Sequence, residues 1–264
     1  MALNHNHQVY PNHIIEKTIE DQFNSHLNLM QFCTLDNSLV GVAGDTKKIR
    51  VYNATDATQK LAMGEGNTEN IEVAYSEKEY TILLAQNRFP YYDEEAMRDP
   101  MVVDTGVRHM STDMFNMTQG EIYAEFMKAT QEVNCSAFDF AAFVDAIATL
   151  NREHGESEEC FAFVAPSDMA AIRKTLKDDL KYVEAYVKHN YVGTVAGCNL
   201  YIKKDATPGT IVGGTKKAVT YFNKKGVEVE QERDANIRLN EIYSRKYYLV
   251  ALTDANECFK IVKA

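Results

Sequence analysis

Residues 47–54 (KKIRVYNA) and 71–83 (IEVAYSEKEYTIL) both alternate polar and apolar side chains, and the polar, glycine-bearing stretch TDATQKLAMGEGNTEN separates them. A period of two marks a strand with two different faces, so the pair reads as an extended hairpin with a long soft connection. Its apolar positions, Ile49, Val51, Ile71 and Val73, are few, and no adjacent segment supplies a cover for them. A two-stranded hairpin is marginal in water by itself. A chain that carries one this long needs other surfaces for it to lie on, which is a first sign of assembly.

The N-terminal region, residues 1–28, poses the same problem. It is polar, with His5, His7, His13 and His26 and few apolar anchors. These histidines lack the i, i+4 spacing with a carboxylate that a helix-borne metal site uses, so they are not read as ligands. Such an arm has no apolar face to bury against its own sequence and is expected either to move freely or to lie on a neighbour. The opening MALNHNHQVYPNH has neither the basic nor the apolar block of a signal peptide. No apolar run approaches the ~18 residues of a membrane span. Five cysteines, Cys33, Cys135, Cys160, Cys198 and Cys258, are scattered without a C-x-x-C pair, which argues against a disulfide framework or a zinc site and for a reducing compartment.

The rest of the chain alternates between helical and extended patterns. Residues 92–131 are mostly helix-compatible. Met110, Met114, Met117, Ile122, Phe126 and Met127 form an apolar stripe, and Gly106 and Gly120 predict a break or bend. Ser136 with Asp139 reads as a helix start, with Phe140, Phe143, Val144, Ile147 and Leu150 on one face. FAFVA (161–165) reads as a short buried strand. Ser167 is expected to cap a helix that turns Met169, Ile172 and Leu176 inward. Residues 182–191 read as a loop, NLYIK (199–203) as a strand, and DATPGT as a turn centred on Pro208 and Gly209.

One stretch comes close to a phosphate-binding loop. In GTIVGGTKKA (209–218), Gly209 and Gly214 have the spacing of G-x-x-x-x-G-K-[ST], but Thr215 and Lys216 arrive in the wrong order. Such a loop also needs a helix after it, so that backbone N–H groups face the anion. Here the chain continues as AVTYF, NKKG and VEVE, which reads as strand, turn, strand. GTIVGGTKKA is therefore read as a turn that holds no nucleotide.

No other pattern asks for catalysis. H-E-x-x-H, G-x-S-x-G, G-x-G-x-x-G and the EF-hand loop are all absent from the sequence. The acidic runs at Asp93–Glu94–Glu95, at 156–159 and at Asp178–Asp179 read as solvated faces. No catalytic, cofactor-binding or metal-ligating residue is singled out. With 38 acidic against 28 basic residues the net charge is −10, so a nucleic acid is not expected as primary ligand.

Taken in order, FVAPSDMAAIRK, GTVAGCNLYIKKDATPGTIVGG and VEVEQERDANIRLNEIYSRKYYLVALTDANECFKIV resemble the C-terminal half of tailed-phage major capsid proteins of the HK97 fold. The earlier segments fall in that family's order as well, and the resemblance covers most of the chain. It rests on order and pattern, since the family has no catalytic motif. It implies an α+β chain with an N-terminal arm (1–28) and a peripheral domain (29–135). That domain includes an E-loop hairpin (43–80) tipped by Gly64, Glu65 and Gly66, and a spine helix within 101–130. An axial domain (136–217) follows, with its axis-facing loop near 177–193, then a return to the peripheral domain (218–246) and a C-terminal axial strand (247–264). The function it implies is a shell subunit of a phage or prophage, assembling with itself as pentamers and hexamers in the host cytoplasm and enclosing DNA by confinement. Portal and a separate scaffolding protein are the implied partners, because the roughly hundred-residue fused scaffold of some members is missing; otherwise this is the processed form. Inter-subunit contact is expected at Lys60, Met63, Gly64, Glu65, Gly66 and Asn67. Some members join a hairpin lysine to a neighbour's asparagine, and Lys60 has the reach, but no motif marks an acceptor, so no crosslink is expected. An encapsulin-like nanocompartment and, from a different class, a soluble enzyme with an unrecognised site stand as alternatives.

Overall fold

The buried strand Cys160–Val164 sits where two hydrophobic clusters meet. Phe161 and Phe163 point into one, and Cys160, Ala162 and Val164 into the other, because successive side chains of a strand leave opposite faces. The computed structural model describes residues 27–150, 159–176 and 193–263. The expected arm, apart from its last two residues, the loop at 182–191 and nearly all of the expected axis-facing loop lie outside the described residues.

The described chain opens with a 3-10 turn, Leu29–Phe32, and the short strand β1, Thr34–Asp36. The hairpin follows as β2, Thr46–Ala54, and β3, Val73–Thr81. Next come β4, Leu83–Tyr92, and two helices, α1, Asp93–Arg98, and α2, Pro100–Phe126. Then β5, Gln131–Cys135, α3, Phe140–Thr149, the buried strand itself as β6, and α4, Pro166–Thr175, complete the middle of the chain. The last part is extended: β7, Thr194–Val195, β8, Cys198–Ile202, β9, Thr210–Gly214, β10, Val219–Asp234, β11, Leu239–Leu252, and β12, Cys258–Lys263.

A four-stranded sheet, in the order β1-β10-β11-β4, carries α2 across one face. Pro100 fits the first position of α2, where its missing N–H is no loss, and the Asp99 carboxylate accepts from the Met101 N–H at 3.0 Å. The helix runs unbroken through Gly106 and Gly120, against the expected break. Gly106 is a point of close approach: a Cβ there would meet the Phe89 ring of β4 at 2.3 Å. Asn87 adds a hydrogen bond from its Nδ2 to the Met110 carbonyl at 2.8 Å. Met110, Met114, Ile122 and Phe126 are buried as the stripe predicts, but Met117 is half exposed on another side of the helix.

The second sheet has the order β5-β12-β9-β6-β8-β7 and mixes parallel and antiparallel pairs. Helices α3 and α4 cover one face with Phe143, Met169 and Ile172. On the other face Phe161 and Phe163 meet Phe32 and Phe126, with ring centroids 4.7–5.6 Å apart. Aromatic contacts of this kind add to the burial of the rings themselves, so this cluster ties the two sheets together.

Several expectations from the sequence need correction. GTIVGGTKKA is not one turn: Thr210–Gly214 is β9, in the interior of the second sheet, and the chain turns before it at Pro208 and Gly209, as expected, and after it at 216–218. Its two glycines reflect crowding, since a Cβ on Gly213 would sit 2.2 Å from the Phe161 carbonyl oxygen. NKKG is no turn either; β10 runs through it, with register shifts between Asn223 and Glu228 against β11. That irregularity absorbs extra residues without ending the pairing. The division placed after residue 246 falls inside β11, which stays in the first sheet to Leu252; the strand that joins the second sheet is β12. Asp139 alone caps α3, accepting from Ala142 N–H at 2.9 Å, and Phe140 and Val144 face outward while Ala142, Phe143 and Ala146 are buried. Ser167 lies inside α4, which starts at Pro166 after Ala165. The run at Asp93 is not a free solvated face. Asp93 accepts from Arg233 and Asn240, and Glu95 accepts from the Tyr92 N–H at 2.9 Å, closing the start of α1.

Candidate assembly surface

The hairpin is built as its alternation dictates. Strands β2 and β3 pair in register from Thr46↔Thr81 to Ala54↔Val73, and nine residues a side extend about 30 Å. Cross-strand partners share a face, so Lys48, Arg50 and Tyr52 meet Glu79, Glu77 and Tyr75. Glu77 receives both Lys48, at 2.8 Å, and Arg50, at 3.0 Å, and Lys48 also pairs with Glu79. The hydrogen bond from Lys48, then that from Arg50, hold the Glu77 carboxyl below its ordinary range, and the Lys48 amine is raised in turn. These are surface pairs that fix geometry and register more than stability.

Beyond this ladder the face becomes apolar and uncovered. Tyr52 and Tyr75 lie 5.9 Å apart, ring centroid to ring centroid, yet are 62% and 65% exposed; Val73 and Ile71 are open to the same degree. Among the described residues, only the root is held by the rest of the chain. Ile82 N–H donates to the Asp45 carbonyl at 2.7 Å. Lys47 reaches Ser38 Oγ at 3.3 Å and lies 5.2 Å from the centre of the Phe222 ring, and Lys224 bonds the Gly44 carbonyl.

The tip gathers all six contact residues expected from the sequence. Lys60, Met63, Gly64, Glu65, Gly66 and Asn67 are exposed, with Met63 fully so. The loop folds on itself: the Glu65 carboxylate accepts from Ala62 N–H at 3.1 Å, and Ala62 carbonyl accepts from Glu65 N–H at 3.1 Å. Asn67 donates to the Ala57 carbonyl at 3.2 Å and accepts from Glu69 N–H at 2.9 Å. The tip is therefore a preformed shape on an extended stalk. The sequence reading missed the Tyr52–Tyr75 pair, because the long connection hides the register that brings the two rings together.

No group of three or more His, Cys, Asp or Glu side chains is placed to hold a metal ion among the described residues. The five cysteines are all thiols, four of them buried. Among the described residues no helix is long and apolar enough to cross a membrane.

No family model matches the chain. It is 23% identical over 269 residues to a protein named the major capsid protein of Staphylococcus phage phiMR11, an alignment spanning 97% of this chain and 94% of that one. Among solved structures, the capsid of a native GTA particle superposes with a TM-score of 0.74 at 14% identity, over 96% of this chain and 95% of that one. The structure titled Mycobacterium phage Che8 gives 0.70 at 15% identity, over 96% and 98%. A virus-like particle from Pyrococcus furiosus gives 0.59 at 9% identity, over 89% and 92%. The chain has the HK97-like fold of phage capsids.

Proposed function

We propose that this chain is the major capsid protein of a tailed phage or prophage, and that its copies close into an icosahedral shell around a DNA genome. The uncovered hairpin carries the reading: a stalk of about 30 Å with an apolar, preordered end that its own chain leaves in water. Exposed apolar area of this kind marks a protein contact, and many modest contacts repeated around a shell add up through multivalency. The four-stranded sheet with α2 corresponds to the family's peripheral domain and the six-stranded sheet with α3 and α4 to its axial domain, where five or six copies meet. The tip residues Lys60, Met63, Gly64, Glu65, Gly66 and Asn67 seat on a neighbouring copy.

A net charge of −10 suits a container better than a binder, since a strongly basic wall would hold duplex through counterion release. DNA is thus confined, with a separate scaffolding protein and a portal as assembly partners in the host cytoplasm. The role is structural and calls for no catalytic residue. The nanocompartment alternative is not favoured, because the curated relative along 97% of the chain is a phage major capsid protein. Deleting residues 58–67 tests the reading: the subunit keeps its melting transition and loses shells in sedimentation. Shells of normal size from the deleted chain would reduce the tip to decoration.

A further inference from the structure

Strands β6 and β8 run parallel and in register, and the residue pair that opens both is Cys160↔Cys198. The two are far apart in sequence, so no C-x-x-C spacing announces them. Their side chains leave the same face of the second sheet and enter the cluster that α3 and α4 cover. Adjacent strands set facing Cα atoms about 4.8 Å apart, inside the window of about 4.4–6.8 Å that a disulfide spans. The start of β8 is also fixed from its other side. Cys198 pairs with Val195 of β7 across a turn in which Ala196 and Gly197 take φ of 50° and 82°. Leu200 N–H donates to the Gly193 carbonyl at 2.8 Å, and Thr194 Oγ1 to Asn199 Oδ1 at 2.9 Å. The remaining buried thiols are placed differently: Cys33 donates to the Leu29 carbonyl at 3.5 Å and Cys258 to the Phe126 carbonyl at 3.6 Å. A buried cysteine ordinarily packs as a small apolar side chain, and packing asks for no second thiol on the facing position.

We propose that Cys160 and Cys198 form a redox-active dithiol, which hydrogen peroxide oxidises to a disulfide within one subunit. Access is at the rim of the sheet. Cys160 follows the exposed Glu159 and Cys198 the exposed Gly197, and Cys160 is the more open of the two at 8% against 0%. In the first step the Cys160 sulfur, as thiolate, takes one oxygen of the peroxide. The S–O bond forms, the O–O bond breaks, and the departing hydroxide leaves as water with the thiol proton. In the second step the Cys198 sulfur attacks that sulfenic acid. The S–S bond forms, the S–O bond breaks, and the hydroxide takes the Cys198 proton to leave as a second water. The two thiols give up two electrons and the peroxide accepts them. The order has a cause: burial, and then the neighbouring Cys160, push the Cys198 thiol up, which makes it the poorer first nucleophile. Once Cys160 is oxidised, its partner is already alongside and needs no encounter.

The bond ties β8, flanked on its other side by the two-residue β7 alone, to the interior strand β6. Facing side chains of parallel strands stand slightly wider apart than the about 3.5–4.5 Å between the Cβ atoms of a disulfide. Closing the bond draws the strands together, and a bond under such strain is readily reduced again. On the capsid reading, which bears only on timing, the dithiol stays reduced in the host cytoplasm and closes after the particle leaves it.

Peroxide treatment of the folded, reduced full-length chain tests the proposal, read by peptide mapping without reductant. The expected result is loss of both thiols and a Cys160–Cys198 link within the monomer, reopened by dithiothreitol, while Cys33 and Cys258 remain thiols. Cys198→Ala is expected to halt at the Cys160 sulfenic acid, which dimedone traps; should that variant not fold, the map of the native chain decides. Sulfenic or sulfinic acid at Cys160 beside an intact Cys198 thiol in the native chain overturns the proposal. So does a link that forms only in denaturant, or a map in which both thiols survive. The site lies within one subunit, so its failure leaves the shell reading untouched, and a chain that builds no shells can still form the bond.

Discussion

Replacing Tyr52 and Tyr75 together with serine separates what the hairpin does for the subunit from what it does for the shell. A tyrosine has about 200 Å² to bury, and at 62% and 65% exposure roughly 125 Å² of each ring remains open to a partner. At about 25 cal/mol per Å² that is about 3 kcal/mol per ring. Polar hydroxyls and the ordering of side chains on contact remove about half of it. The pair then contributes about 3 kcal/mol per hairpin, equivalent to roughly a hundredfold in the threshold concentration for assembly. Within the subunit the loss is the ring-to-ring contact, about 1 kcal/mol, on an element that, among the described residues, touches the body at its root alone. Light scattering against concentration reads the threshold, and circular dichroism reads the melt. The expected result is a threshold raised about a hundredfold with a melting temperature nearly unchanged. An unchanged threshold would refute the argument, since it would mean that the two rings stay in water in the assembled state.

Two further outcomes follow from the same structure. Assembled particles boiled in detergent and reductant return a single band at the 29.9 kDa subunit; a ladder of covalent multimers that vanishes with Lys60→Ala would make Lys60 a chemical site. Native thiol labelling at pH 8 modifies at most the half-buried Cys135, because burial pushes the Cys33 and Cys258 thiols up to about 12 and raises Cys198 as well. The sign follows: with folded values above the ordinary thiol value, this contribution to stability is fully present below about pH 9 and falls as pH rises toward about 12. Labelling of several thiols in the folded chain at pH 8 would contradict the buried core.

How much of this was legible beforehand depended on whether a segment's partners were local. The hairpin strands, the buried FAFVA strand and the inward face of α4 at Met169, Ile172 and Leu176 were all readable from period and spacing. Elements whose form is set by distant contacts were not. Thr210–Gly214 reads as a turn from its glycines, yet Gly213 is what the close approach of β6 requires and Gly214 what the close approach of the Glu257–Cys258 backbone requires. Gly106 looks like a helix breaker until Phe89 is seen lying over it. The outward Phe140 and Val144 show the same limit, because the face that α3 buries is chosen by β5 and β12 and not by its largest side chains. At the candidate surface, the tip was legible as an exposed glycine-bearing turn, whereas the aromatic patch depended on a register that the 18-residue connection concealed.

The central claim is that copies of this chain close into a shell. Electron microscopy of the purified chain, expressed alone and with the scaffolding protein proposed as its partner, tests it most directly. The account predicts hollow closed particles of uniform diameter whose walls resolve into five- and six-membered clusters, with each hairpin laid across a neighbour. A field of monomers or small open oligomers at high concentration and moderate salt would contradict it.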